Sequence, residues 1–132
     1  LKLFDGFMKR AVLRELSLFL KLFKIVSLML LCSHFAACLW YSIGNLGHKR
    51  GLPNWIDEQL IRDPSIESPI KAPIWTRYTN SWYWAVVTLF TTGYGDITAN
   101  NEMEQWVSSI VILLGTCFFA YFIGVLTTLV TE

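Results

Sequence analysis

The sequence predicts an all-α membrane protein in which two membrane-spanning helices flank a shorter helix. Hydrophobic residues make up 54% of the 132 residues and charged residues only 16%, a balance too apolar for an ordinary soluble domain. Two apolar stretches, 25–46 and 106–130, each reach the roughly 20 residues that cross a bilayer. A third stretch, 80–90, is too short to cross, so we expect a re-entrant helix there.

Composition limits the chemistry that the chain can perform. The formal net charge is +1, so the total charge indicates no particular partner. We expect no nucleic acid among the partners. Cys32, Cys38 and Cys117 lie in apolar stretches and indicate buried thiols rather than disulfides or metal ligands. No nucleophile, base and orienting group cluster outside the membrane, so we expect no enzyme. The chain starts without Met and without a cleavage site, so we expect a piece of a longer polypeptide.

Residues 1–24 predict an interfacial amphipathic linker helix that leads into the first span. Apolar residues recur at helical spacing and cations outnumber acids; a solvated helix is the alternative. Asp5-Gly6 is a plausible helix start or break. The stretch is not a voltage sensor, which needs arginines at every third position. Its basic character marks the cytoplasmic side, where both termini of the fragment would then lie. The cations are Lys2, Lys9, Arg10, Arg14, Lys21 and Lys24.

The outer helix, 25–46, contains one ionisable residue, His34. An ionisable group inside a membrane is a functional candidate by default. A proton sensor and a neutral structural histidine are therefore the two interpretations of His34.

Residues 47–79 predict a long turret loop between the spans. Four prolines prevent long regular structure, although a short helix is expected near 55–61, where Asp57 and Glu58 fall early, as a helix N-terminus prefers. We interpret the loop as a plain spacer rather than a binding surface. The prolines are Pro53, Pro64, Pro69 and Pro73.

The stretch 91–96, TTGYGD, follows a short helix that we expect to be capped by Asn80 or Ser81. Gly93 and Gly95 alternate with other residues, and glycine enters backbone regions with positive φ at no steric cost. Successive carbonyls can then turn the same way and replace the water around a dehydrated cation. The Thr91 hydroxyl would add an oxygen at the inner end. We therefore expect a selectivity-filter loop.

Neighbouring residues fit a cation pathway. A helix that ends at Phe90 directs its negative C-terminal dipole toward the region below the filter. Asp96, Glu102 and Glu104 follow the filter, and four copies would make an acidic outer mouth. Ordinary surface charge is the alternative, and Asp96 is the strongest candidate for the mouth. The aromatic residues 82–84 predict either a rigid cuff around the filter or an interfacial aromatic belt.

The inner helix, 106–130, has no charged residue and contains two glycines of interest. Gly115 lies near its middle and Gly124 further toward the inner end. Either glycine can serve as a gating hinge or as a site of close helix packing, and the sequence does not choose between them.

The stretch 91–96 resembles the potassium-channel signature, and 83–90 resembles the pore helix of voltage-gated potassium channels. The resemblance implies that Trp84 supports the filter tyrosine, Tyr94. Thr92 departs from the family, which most often has Val or Ile there, and its hydroxyl would change the hydrogen bonding behind the filter.

The two spans resemble a different branch of the same superfamily. Residues 34–44 are similar to the outer helix of ether-a-go-go and cyclic-nucleotide-gated channels, where a histidine followed by Ala-Cys packs near the pore helix. That resemblance favours a neutral structural role for His34. Residues 120–124 resemble the inner helix of the cyclic-nucleotide-regulated branch, which has a glycine at the place of Gly124.

Together these features predict the pore-forming segment of a potassium-selective channel in the plasma membrane. Pore domain 25–132 would follow linker 1–24 and would pass K⁺ between carbonyl rings of Thr91, Thr92, Gly93, Tyr94 and Gly95. Four copies would form the pore, as a homotetramer or as four repeats in one chain, in contact with membrane lipid. We expect K⁺ as the permeant ion and no organic cofactor in the fragment.

Gating is expected to depend on voltage or on a cyclic nucleotide bound outside the fragment. The nearest alternative function is a weakly selective cation channel of the pacemaker type. Thr91 stands where that type has Cys, and Asp96 follows the filter, which favours K⁺ selectivity. A non-conducting membrane assembly module is the alternative from another class, and it has no need for a Gly-Tyr-Gly strand.

Overall fold

The computed structural model describes residues 2–62 and 71–131 and contains four helices within them. These are α1 (Lys2–Lys49), α2 (Trp55–Arg62), α3 (Ile74–Leu89) and α4 (Glu102–Thr131). The prediction of an all-α protein is confirmed for this part of the chain, and the short helix expected near 55–61 is α2. Pro64 and Pro69 of the predicted turret lie outside the described residues.

Helix α1 joins the predicted linker and outer helix into one element of 48 residues. At 1.5 Å per residue it is about 72 Å long, more than twice the roughly 30 Å hydrocarbon core of a bilayer. The break expected at Asp5-Gly6 is wrong, because a single glycine costs only about 1 kcal/mol in a helix and no proline follows it before residue 49. Only part of α1 can therefore cross a membrane.

Helix α3 begins six residues earlier than predicted, so the expected cap at Asn80 or Ser81 is wrong. Pro73 precedes the helix with a φ of −52°, and proline is pre-organised for a helix start. No proline or glycine interrupts 74–79. The 16 residues of α3 extend about 24 Å, still too short to cross the hydrocarbon core.

Helix α4 begins at Glu102, four residues before the predicted start. The Asn101 side chain accepts the Glu104 N–H at 2.9 Å, which caps the first turn. Helices α1 and α4 are both long and apolar enough to cross a membrane, by length and composition.

Three stacked tryptophans from three helices form the centre of the core. Trp40 of α1 is fully buried and lies parallel to Trp84 of α3, with ring centroids 3.8 Å apart. Its other neighbour is Trp55 of α2, at 5.7 Å, whose indole N–H donates to the Trp40 carbonyl at 3.1 Å. A Cβ on Gly44 would lie 2.7 Å from Trp55 Cδ1, so this glycine allows α2 to approach α1.

The docking of α2 corrects the interpretation of 47–79 as a plain spacer. Trp55 is 3% exposed and Ile56 6% exposed, and both belong to the core cluster. The loop is therefore structural at this point, because burying two large apolar side chains stabilises the contact with α1.

The three cysteines are not the buried thiols that the sequence indicated. Cys32 is half-buried, while Cys38 and Cys117 are exposed in the single chain. Apolar neighbours in sequence did not imply burial here, because the outward faces of α1 and α4 are themselves apolar and exposed.

Candidate functional site

The stretch 90–96 leaves the C-terminal end of α3 through a tight turn. The Val87 carbonyl accepts the N–H groups of Thr92 at 3.0 Å and Gly93 at 3.2 Å. Thr91 donates its N–H to Thr88 at 3.2 Å and has a φ of +57°. These bonds satisfy helix carbonyls that otherwise have no partner, and they fix the start of the predicted filter to the helix end.

Gly93 and Gly95 adopt the backbone conformation that their spacing suggested. Their φ angles are +60° and +77°, a region that residues with a Cβ rarely enter. A Cβ at either position would meet nothing within 4 Å in the chain. The need for glycine therefore comes from backbone conformation rather than from crowding.

The whole predicted filter is exposed in the single chain. Residues 90–96 are all exposed, and Tyr94 is 72% exposed. Trp84 instead packs within its own chain, where it stacks on Trp40 and is 6% exposed. The contact of Trp84 with Tyr94 that the resemblance implies stays a prediction.

Two side chains hold the outer end of the stretch at Asp96. The Tyr83 hydroxyl hydrogen-bonds to the Asp96 carboxylate. Gln59 of α2 donates to the Asp96 carbonyl at 3.3 Å. Sequence reasoning missed both partners. The pattern of residues 82–84 indicated an aromatic cluster but not which ring would face Asp96.

The aromatic residue before Tyr83 has a separate role. The Trp82 indole N–H donates to the Ser33 hydroxyl at 3.0 Å, and Ser33 in turn donates to the Leu30 carbonyl of its own helix at 2.8 Å. Ser33 is 1% exposed. Trp82 thus fastens α3 to α1, whereas Trp84 belongs to the core.

Glu104 does not belong to an acidic outer mouth, and that prediction is wrong for this residue. Its side chain is fully buried. The carboxylate accepts the Trp55 N–H at 3.1 Å and the Asn100 N–H at 2.8 Å. Glu102 and Asp96 are exposed. A mouth formed by those two acids stays a prediction.

His34 contacts α3, the predicted pore helix, as its resemblance implied. Its Nδ1 lies 2.8 Å from the Tyr78 hydroxyl of α3, and its Nε2 lies 3.7 Å from Cys38 Sγ one turn later. The contact joins α1 to α3. The choice between a structural histidine and a proton sensor stays a prediction.

The two glycines of α4 differ in their surroundings. A Cβ on Gly115 would lie 3.0 Å from Leu89 Cδ2 and 3.2 Å from Leu89 Cα. Leu89 is the last residue of α3, so Gly115 allows close packing between the two helices. A Cβ on Gly124 would meet nothing within 4 Å.

Comparisons with known proteins identify relatives of the chain. A family model described as an ion channel matches residues 61–132. The potassium channel SKOR of Arabidopsis thaliana is 36% identical over 116 residues, which cover 87% of this chain and 14% of SKOR. GORK of the same plant is 34% identical with the same coverage. AKT2 of Oryza sativa subsp. japonica is 34% identical over 83% of this chain and 12% of its own length.

The fold and these matches define an integral membrane protein, and the chain belongs to the ion-channel family. The predicted resemblance to the pore domain of voltage-gated and cyclic-nucleotide-regulated potassium channels is confirmed. The named relatives are channels rather than enzymes. The chain spans 14% or less of the length of those relatives.

Proposed function

We propose that residues 91–95 of four copies form a potassium-selective filter. The observation that carries the proposal is the positive φ of Gly93 and Gly95, a conformation that allows successive carbonyls to turn toward one side. K⁺ would then pass by knock-on between rings of carbonyl oxygens. The names of the relatives, which are potassium channels, favour K⁺ as the permeant ion.

Exposure of the stretch 90–96 supports assembly around an axis. A backbone of this shape is not stable against lipid unless protein shields it or water lines it. In one chain the Tyr94 ring is 72% exposed, so it is available to a neighbouring copy. We infer that four copies, or four repeats, enclose the filter and cover these rings.

The membrane arrangement follows from α1, α3 and α4. Part of α1 and most of α4 would cross the plasma membrane, and α3 would enter and leave on one side as the pore helix. The basic residues of 1–24 favour a cytoplasmic position for both ends of the chain. This linker would then lie at the inner interface, and domain 25–132 would form the pore. The filter then opens outward through Asp96.

Gating would come from movement of the inner helix. Gly115 packs against Leu89, so a bend there would disrupt a contact between α4 and α3. Gly124 has no such neighbour in the chain, and we propose it as the gating hinge. The stimulus, voltage or a cyclic nucleotide, would act through parts of a longer protein and through the linker. With the hinge at Gly124, the part of α4 near the filter would stay fixed and its cytoplasmic end would move.

The test is the reversal potential of the full-length channel under a K⁺/Na⁺ gradient. The current of the wild-type channel is expected to reverse near the K⁺ equilibrium potential. This result would also show that the filter stays K⁺-selective with threonine at position 92. A reversal near zero would favour a weakly selective pacemaker-type channel, and no current at all would favour an assembly module.

The matched variants are Gly93→Ala and Gly51→Ala. Both glycines have positive φ, +60° and +67°, and neither Cβ would meet an atom within 4 Å. Each substitution costs about 1–2 kcal/mol of backbone strain, but only Gly93 lies in the filter. Gly93→Ala should abolish selective current while Gly51→Ala keeps it; equal effects would refute the filter assignment.

A further inference from the structure

The loop that follows the filter, residues 97–101, is bonded to a buried carboxylate that the conduction mechanism does not use. Glu104 is fully buried, and a buried charge is costly unless hydrogen bonds satisfy it. Each oxygen accepts one main-chain N–H: Oε1 from Trp55 at 3.1 Å and Oε2 from Asn100 at 2.8 Å. The residue therefore bonds two segments that lie far apart in sequence.

Those two segments are the start of α2 and the end of the loop after the filter. Trp55 is the first residue of α2 and is held in the core by Trp40. Asn100 lies four residues after Asp96 in sequence. The Asn101 side chain adds a second link, because it donates to the Pro53 carbonyl at 2.8 Å while it accepts the Glu104 N–H.

A third bond extends this arrangement to the filter itself. Gln59, on α2, donates to the Asp96 carbonyl at 3.3 Å. Ile97, the next residue, is buried at 9% exposure in the same core cluster. The outer end of the filter is thus fixed to α2, and α2 is fixed by Glu104 and the tryptophan core.

We propose that Glu104 is a positioning residue that keeps the outer end of the filter in its conducting geometry, by holding α2 and the loop 97–101 together. The inference rests on the proposed filter at 91–95. Loss of either bond to Glu104 frees the segment 96–100 to move, and the filter then loses conduction during sustained opening. The carboxylate touches no permeant ion and acts through Asn100 and Asp96.

The experiment measures the rate of current loss during prolonged opening of the full-length channel, at low and high external K⁺. Glu104→Gln keeps the side-chain length but replaces one acceptor oxygen with a donor, which then faces an N–H group. Hydrogen bonds to charged groups are strong enough that we expect current loss about tenfold faster or more. High external K⁺ should reverse much of the effect, since bound ions hold the filter; a general folding defect would not respond to K⁺.

The matched control is Glu102→Gln, which removes the same charge two residues away from an exposed side chain. It should change conductance at most and leave the rate of current loss as in wild type. If Glu104→Gln fails to reach the membrane, Asn101→Asp supplies the test: it keeps the cap on the Glu104 N–H but removes the donor to Pro53. That variant should also speed current loss in a K⁺-sensitive way.

The outcomes separate the inference from the proposed function. A wild-type channel without K⁺-selective current overturns the filter and this inference together. The inference alone is overturned if the wild-type channel is K⁺-selective but Glu104→Gln loses current at the wild-type rate. Where Glu104→Gln does not reach the membrane, the same result for Asn101→Asp overturns it. Equal acceleration by Glu102→Gln also overturns it, because the effect would then come from charge at the mouth.

Discussion

Alanine substitutions at Gly115 and Gly124 should have opposite effects on stability. Both glycines lie inside α4, so each replacement gains about 1 kcal/mol of helix propensity per chain. At Gly124 no atom of the chain lies within 4 Å of the new Cβ, so contacts within the chain do not offset the gain. Gly124→Ala is therefore expected to raise the melting temperature of the assembled channel.

At Gly115 the gain is offset by crowding. The new Cβ would lie 3.0 Å from Leu89 Cδ2, a flexible methyl, but also 3.2 Å from Leu89 Cα, which belongs to the backbone of α3. Overpacking of this kind costs about 1–3 kcal/mol. Subtracting the propensity gain leaves a net loss of about 0–2 kcal/mol per chain for Gly115→Ala.

The assay is the thermal unfolding of the purified assembly, followed by size-exclusion chromatography with fluorescence detection after heating. Wild type, Gly115→Ala and Gly124→Ala are compared in the same detergent. The expected order of melting temperatures is Gly124→Ala, then wild type, then Gly115→Ala. A Gly115→Ala protein as stable as Gly124→Ala would refute the close packing of α4 on Leu89.

Three further predictions concern α1 and α3. Trp40→Ala should destabilise the assembly by about 3–5 kcal/mol, measured by the same unfolding assay, while Trp75→Ala, at a 76% exposed position, should have a much smaller effect. Gly44→Ala should lower the melting temperature because its Cβ overlaps a core indole, whereas a Cβ on Gly6 meets nothing within 4 Å; equal effects would contradict the docking of α2. Tyr83→Phe removes the hydrogen bond to the carboxylate at the filter end and should speed current loss in sustained recordings; an unchanged rate would exclude a supporting role for that bond.

The helices were predictable as elements, but their ends were less so. The two long apolar stretches predicted helices at α1 and α4, and the short apolar stretch predicted a helix at α3. The starts were misplaced because Pro73 and Asn101 were not used. Pro73 stands directly before the first helical residue, where its fixed φ suits a helix start, and Asn101 with Glu104 three residues later is a capping signal. The alternation of Gly93 and Gly95 did predict their positive φ, since only glycine adopts it freely.

The contacts between distant segments were not predictable. Trp55 lies 15 residues after Trp40, in a loop whose prolines and charges are typical of a spacer, and nothing local indicates that its ring is buried. In the sequence, nothing around Glu104 distinguishes it from Glu102, which is exposed. Its burial depends on two N–H groups from other segments, which a single sequence does not reveal. Long-range packing therefore decided the roles that sequence reasoning assigned wrongly.

The most direct measurement is the anomalous scattering of Rb⁺, a K⁺ analogue, in crystals of the assembled channel. The account predicts Rb⁺ peaks on the central axis between the levels of Thr91 and Gly95 that keep their height when an equal concentration of Na⁺ is added. No axial peak at that level, or binding that Na⁺ competes with equally, would contradict a carbonyl-lined filter selective for K⁺.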